Sequence, residues 1–108
     1  MKIAIPSETD EGLKANVSFH FGRSPYFTII DLENSEIKNI EIIKNPFSQN
    51  HGRPGQLPEF LKNLNVELII TGGMGQRAMS FFEQMGIKVI SGVSGEIETV
   101  MKNLNLLK

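Results

Sequence analysis

Apolar residues recur along the chain at two different spacings, and these spacings predict where strands and helices lie. In the first half, an apolar run at 3–5 ended by Pro6, β-forming residues at 26–30 and alternating isoleucines within 37–43 predict three strands. A polar turn at 33–35 joins the second strand to the third. We therefore expect an antiparallel hairpin after the first strand.

The second half of the chain alternates between strand and helix patterns. Apolar positions follow helical spacing at 57–64, 78–85 and 97–104, and nearly continuous apolar runs at 66–70 and 87–90 separate them. The predicted element order is βββαβαβα. This order indicates a single α/β domain over residues 1–108, with a five-stranded mixed sheet and flanking helices.

The predicted topology brings the long connections of the chain together. Strands 1, 4 and 5 are expected to be parallel, so the loops at 6–25, 44–55, 72–75 and 91–95 fall at one edge of the sheet. Ligands of open α/β sheets usually bind beyond the carboxyl ends of the strands. We therefore predict that this edge is the binding edge.

Composition and charge exclude several classes of function. The 108 residues include 11 basic and 12 acidic ones, a formal net charge of -1, so neither nucleic acid nor a membrane surface is an expected partner. The chain has no cysteine, which excludes disulfides, thiolate zinc sites and cysteine nucleophiles. The N-terminal apolar stretch is too short for a signal peptide and no run reaches membrane-spanning length, so we expect a cytoplasmic location.

A glycine-rich segment follows the fourth predicted strand and opens the next helix. Gly73, Met74, Gly75 and Arg77 lie there, where free backbone N–H groups and the helix dipole favour an anion. Residues 73–78 also fit the dinucleotide pattern G-x-G-x-x-A, but no acidic residue follows the next strand to hold a ribose. A tight strand-to-helix turn that binds nothing is the alternative.

Both histidines fall in loops of the predicted binding edge. His20 lies between Phe19 and Phe21, so its imidazole is expected to face a pocket while the two rings pack inward. His51 lies in the second long loop, and the two imidazoles together would form a metal-binding pair. The alternatives are an ordinary surface histidine and an ordinary solvated loop.

Basic and sulfur-containing side chains occur at the same edge. Arg23, Arg53 and Arg77 would hold a ligand's negative charge by charge-assisted hydrogen bonds, although pairing with a surface carboxylate is the commoner role of arginine. Met74 would supply a thioether contact. By contrast, the first strand has no carboxylates for two-metal catalysis, and no serine–histidine–acid arrangement stands out. We therefore expect that the protein is not an enzyme.

Several of these segments together resemble a known family. They are residues 16–27, Asn45-Pro46 with His51-Gly52, residues 73–75 with Ala78, and residues 86–95. In this combination they look like the dinitrogenase iron–molybdenum cofactor biosynthesis family. The resemblance implies a ribonuclease H-like fold and a role in binding, storing or delivering iron–sulfur or iron–molybdenum clusters.

The resemblance also implies roles for individual residues. His20 matches the family's motif histidine, a proposed cluster contact, and the loop positions of the family match Gly22, Arg23, Gly73 and Gly75. His51 falls in a loop that is often rich in histidine and glycine in relatives. Because this chain has no cysteine, a cluster would have to bring its own sulfides and be held weakly, as suits a carrier.

Three functions from different classes follow from these observations. The first is a carrier of a metal–sulfur cluster. The second is a nucleotide- or anion-binding regulatory module, and the third is an interaction domain for an iron–sulfur assembly protein.

Overall fold

The computed structural model of the protein describes residues 1–49 and 53–108. Its strands are β1 (Lys2–Ser7), β2 (Tyr26–Glu33), β3 (Glu36–Lys44), β4 (Leu68–Ile70) and β5 (Lys88–Ile90), and its helices are α1 (Gln56–Asn63), α2 (Gln76–Met85) and α3 (Ile97–Asn103). Two single-turn 3₁₀ helices, Gly12–Lys14 and Phe21–Arg23, interrupt the long loop between β1 and β2.

The strands form one mixed sheet in the order β3-β2-β1-β4-β5. β2 pairs antiparallel with both β1 and β3, whereas β4 pairs parallel with β1 and β5. The predicted α/β fold with a five-stranded mixed sheet and flanking helices is therefore confirmed. The ribonuclease H-like relationship stays a prediction.

Each face of the sheet has its own apolar core, because successive side chains of a strand point to opposite faces. On one face, Ile3, Ile5 and Ile30 pack with Ile97 and Met101 of α3. The other face carries the second core. Its buried members come from the strands, from α1 and α2 and from the segments that connect them, and they are Ala4, Phe21, Phe27, Ile29, Leu61, Val66, Ile69, Phe82 and Ile87. The second face therefore packs against α1, α2 and the Phe21 segment of the loop between β1 and β2.

Pro6 does not end the first strand, contrary to the sequence-based prediction. β1 continues to Ser7, and Pro6 pairs with Phe27 in β2. The carbonyl of Pro6 points away from β2 and accepts the N–H of Ser18 at 2.7 Å. β1 pairs with β4 only at Ile3 and Ala4, so Pro6 lies beyond the end of this pairing. The backbone N–H that proline lacks is therefore not needed for a hydrogen bond to β4.

Candidate functional site

Two of the long loops lie directly against each other at the predicted binding edge. The N–H of Gly72 donates to the carbonyl of Ser18 at 3.0 Å, and the N–H of Phe21 donates to the carbonyl of Gly73 at 3.3 Å. The Thr71 hydroxyl, which is fully buried, also donates to the Gly73 carbonyl at 3.0 Å. These bonds hold the segment that carries His20 beside the glycine-rich turn.

A cavity of about 550 Å³, which we call the loop-edge pocket, opens where these two loops meet the beginning of α1. Eight of the nine residues that the sequence analysis assigned to the site line it, namely His20, Gly22, Arg23, Arg53, Gly73, Met74, Gly75 and Arg77. The structure thus brings them together around a single space. That these residues bind a ligand stays a prediction.

Only one member of the predicted metal pair, His20, lies in the part of the chain that the structure describes, so the pair stays a prediction. His51 lies outside the described residues. His20 is exposed, and its ring lies edge-on to that of Phe19 with 5.1 Å between the ring centroids. Within residues 1–49 and 53–108, no group of three or more His, Cys, Asp or Glu side chains is placed to hold a metal ion.

The two phenylalanines beside His20 have opposite environments, so the prediction that both rings pack inward is wrong. Phe21 is buried and packs edge-on against Phe27 and Phe82, with 5.5 Å between ring centroids in each pair. Phe19 is 67% exposed and lines the loop-edge pocket. The backbone of Phe19 packs closely against Gly72 and Gly73, so this part of the loop is held by its main chain and not by a buried ring.

The pocket also contains residues that the sequence analysis did not assign to the site. Phe47 and Phe81 line it, as do Leu57 and Pro58 from the first turn of α1. The ring of Phe47 rests edge-on against that of Phe60, with 6.1 Å between centroids. No local pattern marks Phe47, because its position depends on how the loop after β3 folds back onto α1.

Charged groups of one sign surround the pocket. Arg23, Arg53 and Arg77 all line it, and no Asp or Glu is found among its described lining residues. The ion pairs in the described part of the chain are Lys14 with Glu98 and Lys38 with Glu36, so none of these arginines is paired with a carboxylate there. A positive field in a partly apolar cavity favours an anion.

Two helices add to this field because both begin at the pocket. The N-cap residues are Gly55 for α1 and Gly75 for α2, and neither helix is capped by a side-chain hydrogen bond. Both N-cap residues line the pocket. The positive ends of two helix dipoles are thus directed at the same space as the guanidinium groups.

Comparison with known proteins identifies the family. Residues 1–106 match the family model described as dinitrogenase iron-molybdenum cofactor. The chain belongs to this family. The dinitrogenase iron-molybdenum cofactor family is also the one that its sequence motifs resemble, so that prediction is confirmed, and the protein is a small cofactor-related protein.

Individual relatives agree with this assignment. The protein is 37% identical over 103 residues to an uncharacterized protein, MJ0580, of Methanocaldococcus jannaschii, covering 94% of this chain and 83% of the relative. It is similar to the crystal structure of PH0822, with 44% identity, a TM-score of 0.85 and coverage of 96% of this chain and 89% of the other.

A more distant structure shows the fold alone. The apo form of the orange protein from Desulfovibrio gigas is 23% identical, with a TM-score of 0.81, and the alignment covers 96% of this chain and 86% of that one.

None of the helices among the described residues has the length and apolar character needed to cross a bilayer.

Proposed function

We propose that this member of the dinitrogenase iron-molybdenum cofactor family binds a metal–sulfur cluster of the iron–sulfur or iron–molybdenum type in the loop-edge pocket and carries it without catalysing a reaction. One observation carries the proposal. Arg23, Arg53 and Arg77 converge on one cavity that has no carboxylate among its described lining residues. Such a cavity favours a cargo with negative charge, and membership of this family supports a metal–sulfur cofactor as the cargo.

The chemistry of the pocket is compatible with reversible binding. A preformed cluster brings its own sulfides, which accept hydrogen bonds from guanidinium groups and from the backbone N–H groups at the start of α2. His20 supplies a nitrogen ligand and Met74 a soft thioether contact at the same cavity. His51 is the second metal ligand in this proposal. Without thiolate bonds to break, the cluster dissociates readily, as delivery requires.

A carrier fits the lining of the pocket better than an enzyme does. The described lining residues include no Ser, Thr, Tyr, Asp, Glu or Lys, and among them His20 is the candidate for proton transfer. A lone imidazole has neither a nucleophile to activate nor a carboxylate to orient it. The proposal is therefore transport of the cofactor rather than turnover.

Anaerobic loading tests the proposed function. The protein is incubated with a preformed synthetic iron–sulfur or iron–molybdenum–sulfur cluster, desalted, and examined by absorbance and metal analysis. We expect stoichiometric uptake by the natural chain and strongly reduced uptake by the Arg23→Ala, Arg53→Ala, Arg77→Ala triple variant, because three charge-assisted donors are lost.

A matched control separates the pocket from the overall charge. The Lys38→Ala, Lys62→Ala, Lys102→Ala variant changes the net charge by the same amount at exposed positions that do not line the pocket. It should load like the natural chain. Failure of the natural chain to load either cluster, or equal loss in both triple variants, would contradict the proposal.

A nucleotide is the second candidate ligand, because the pocket combines arginines with aromatic rings. Phe19, Phe47 and Phe81 all line the cavity beside the glycine-rich turn. A ligand that binds only the folded state raises its thermal stability by mass action. A thermal shift with nucleoside di- or triphosphates, absent in the triple arginine variant, would favour this candidate over the cluster.

The donor or acceptor of the cluster in this proposal is an iron–sulfur assembly protein in the cytoplasm. Cluster-dependent association would support transfer between the two proteins. Association that is equally strong without any cluster would instead favour an interaction domain. Pull-down of a purified assembly ATPase with the loaded and the unloaded protein measures the association.

A further inference from the structure

Asn45 is a buried polar residue at the edge of the site, and its side chain joins two of the loops that form the pocket. It is 4% exposed. Its Nδ2 donates to the carbonyl of Gly22 at 3.3 Å and to the carbonyl of Ser24 at 2.9 Å. These are the residues on either side of Arg23. The amide of Asn45 therefore holds the backbone from which the Arg23 side chain extends.

The other end of the same amide holds a different wall of the pocket. Oδ1 of Asn45 accepts the N–H of Phe47 at 2.9 Å, and the backbone N–H of Asn45 donates to the carbonyl of Pro25 at 3.0 Å. Phe47 and Arg23 both line the cavity. One planar side chain thus sets the position of the cationic loop relative to the aromatic wall.

Asparagine is the residue type that this arrangement requires. Its carboxamide has two N–H donors and an acceptor oxygen in one rigid plane, and all of them are engaged in these hydrogen bonds. Aspartate has no donor for the two carbonyls, and alanine has neither group. From this geometry we infer that Asn45 is a positioning residue, which acts on an anionic cargo through Arg23. The inference takes the identity of the cargo from the proposed function, whereas the hydrogen bonds of Asn45 are independent of that function.

A double-mutant cycle tests the inference with the full chain and a preformed synthetic iron–sulfur cluster as the probe. Asn45→Ala is made in the natural background and in an Arg23→Ala background, and the dissociation constant is measured by anaerobic titration. We expect cluster binding to weaken about tenfold in the first background and less than about twofold in the second, because the loss operates through one charged hydrogen bond.

The cycle distinguishes positioning from a general structural role. Ser24→Ala removes the hydrogen bond from the Ser24 hydroxyl to the Phe21 carbonyl, at 3.2 Å in the same loop, without touching the contacts of Asn45. It should change affinity equally in both backgrounds. An equal loss for Asn45→Ala in both backgrounds would overturn the inference. If Asn45→Ala does not fold, Asn45→Ser is used, since it removes the same long-range hydrogen bonds with a smaller loss of polarity.

A measurement without ligand separates this inference from the proposed function. Amide hydrogen exchange of Arg23 and Phe47 should become faster in Asn45→Ala, while exchange of the core amide of Ile69 stays as in the natural chain. Lack of cluster uptake by the natural chain would refute the proposed function alone, and the exchange experiment would then decide the inference. Unchanged exchange at both loop amides would refute the positioning role even if the cluster binds.

Discussion

Gly72 and Phe19 are in direct backbone contact. A Cβ atom built on Gly72 would lie 2.8 Å from the Cα of Phe19 and 2.9 Å from the carbonyl oxygen of Ser18. Backbone atoms cannot yield as the end of a flexible side chain can, so this approach depends on glycine. Because His20 follows Phe19 in the chain, the contact helps to fix where the imidazole enters the pocket.

Replacement of Gly72 and Gly75 by alanine should have contrasting effects on stability. Gly72→Ala inserts a methyl group against rigid backbone, and we expect it to lower the free energy of unfolding by about 1–3 kcal/mol. Gly75 has φ of -68° and no atom within 4 Å of a built Cβ, so Gly75→Ala should change stability by less than about 0.5 kcal/mol. Urea unfolding of both variants is the measurement. Equal destabilisation would mean that the close approach of Gly72 to Phe19 does not require glycine.

Two phenylalanines beside His20 provide a second matched pair. Phe21→Ala removes a buried ring from the core between Phe27 and Phe82, and we expect it to cost about 3–5 kcal/mol of stability. Phe19→Ala truncates a ring that is 67% exposed, so its effect on stability should stay within about 0.5 kcal/mol.

The same pair separates folding from binding. Phe19 lines the pocket, and its removal should therefore weaken cluster loading although the fold is intact. Thermal unfolding and anaerobic loading are measured on each variant. A Phe19→Ala protein that unfolds as readily as Phe21→Ala would show that the exposed ring has a structural role that these contacts do not explain.

The fold is predictable where the pattern of apolar residues is local. The β2–β3 hairpin follows from alternation around Asn34 and Ser35, and the left-handed φ of Gly86, 75°, agrees with its place at the end of α2. The prediction at Pro6 is wrong because the tolerance of this proline depends on a distant fact, the early end of the pairing between β1 and β4. A proline rule applied to one segment cannot include the position of a strand that lies about 60 residues away in the sequence.

The site is predictable to the extent that topology determines it. Parallel strands end at one edge of a sheet, so the proximity of His20 to Gly73 follows from the order of the elements. Asn45 lies in one of the segments that resemble the family, but nothing in the sequence marks its bonds to Gly22 and Ser24, because these join two separate loops. The place of Phe47 in the pocket has no signal in the sequence either. The exposure of the Phe19 ring is not predictable from the sequence either, since the apolar character of phenylalanine favours a buried side chain.

The turn between β2 and β3 contains a position where glycine should be better than the natural residue. Asn34 and Ser35 have φ of 53° and 65°, a conformation that is favourable for glycine and costly for serine. We expect Ser35→Gly to stabilise the protein by about 0.5–1 kcal/mol. Ser80→Gly in the exposed face of α2 is the control and should destabilise by about 0.5 kcal/mol. Thermal unfolding measures both, and stabilisation by neither or by both would disagree with the observed backbone angles.

The dependence of cluster affinity on salt should reveal which groups hold the cargo. Raising the ionic strength from about 0.01 M to 0.15 M shortens the screening length from about 30 Å to about 8 Å. If Arg23, Arg53 and Arg77 supply most of the attraction, we expect the dissociation constant to rise about tenfold over this range. The triple arginine variant should bind weakly with a much flatter salt response, and anaerobic titration at several salt concentrations measures both.

A His20→Ala variant distinguishes attraction by charge from direct metal ligation. His20→Ala removes the nitrogen ligand that we propose at the pocket but leaves the guanidinium groups in place. If charge dominates, it keeps the steep salt response and loses little affinity. A natural chain with salt-independent binding, together with complete loss in His20→Ala, would mean that direct metal ligation holds the cargo, because coordination bonds are screened far less than exposed charges. In that case the arginines would be accessory, and the positive field of the pocket would act mainly on the rate at which the cluster arrives.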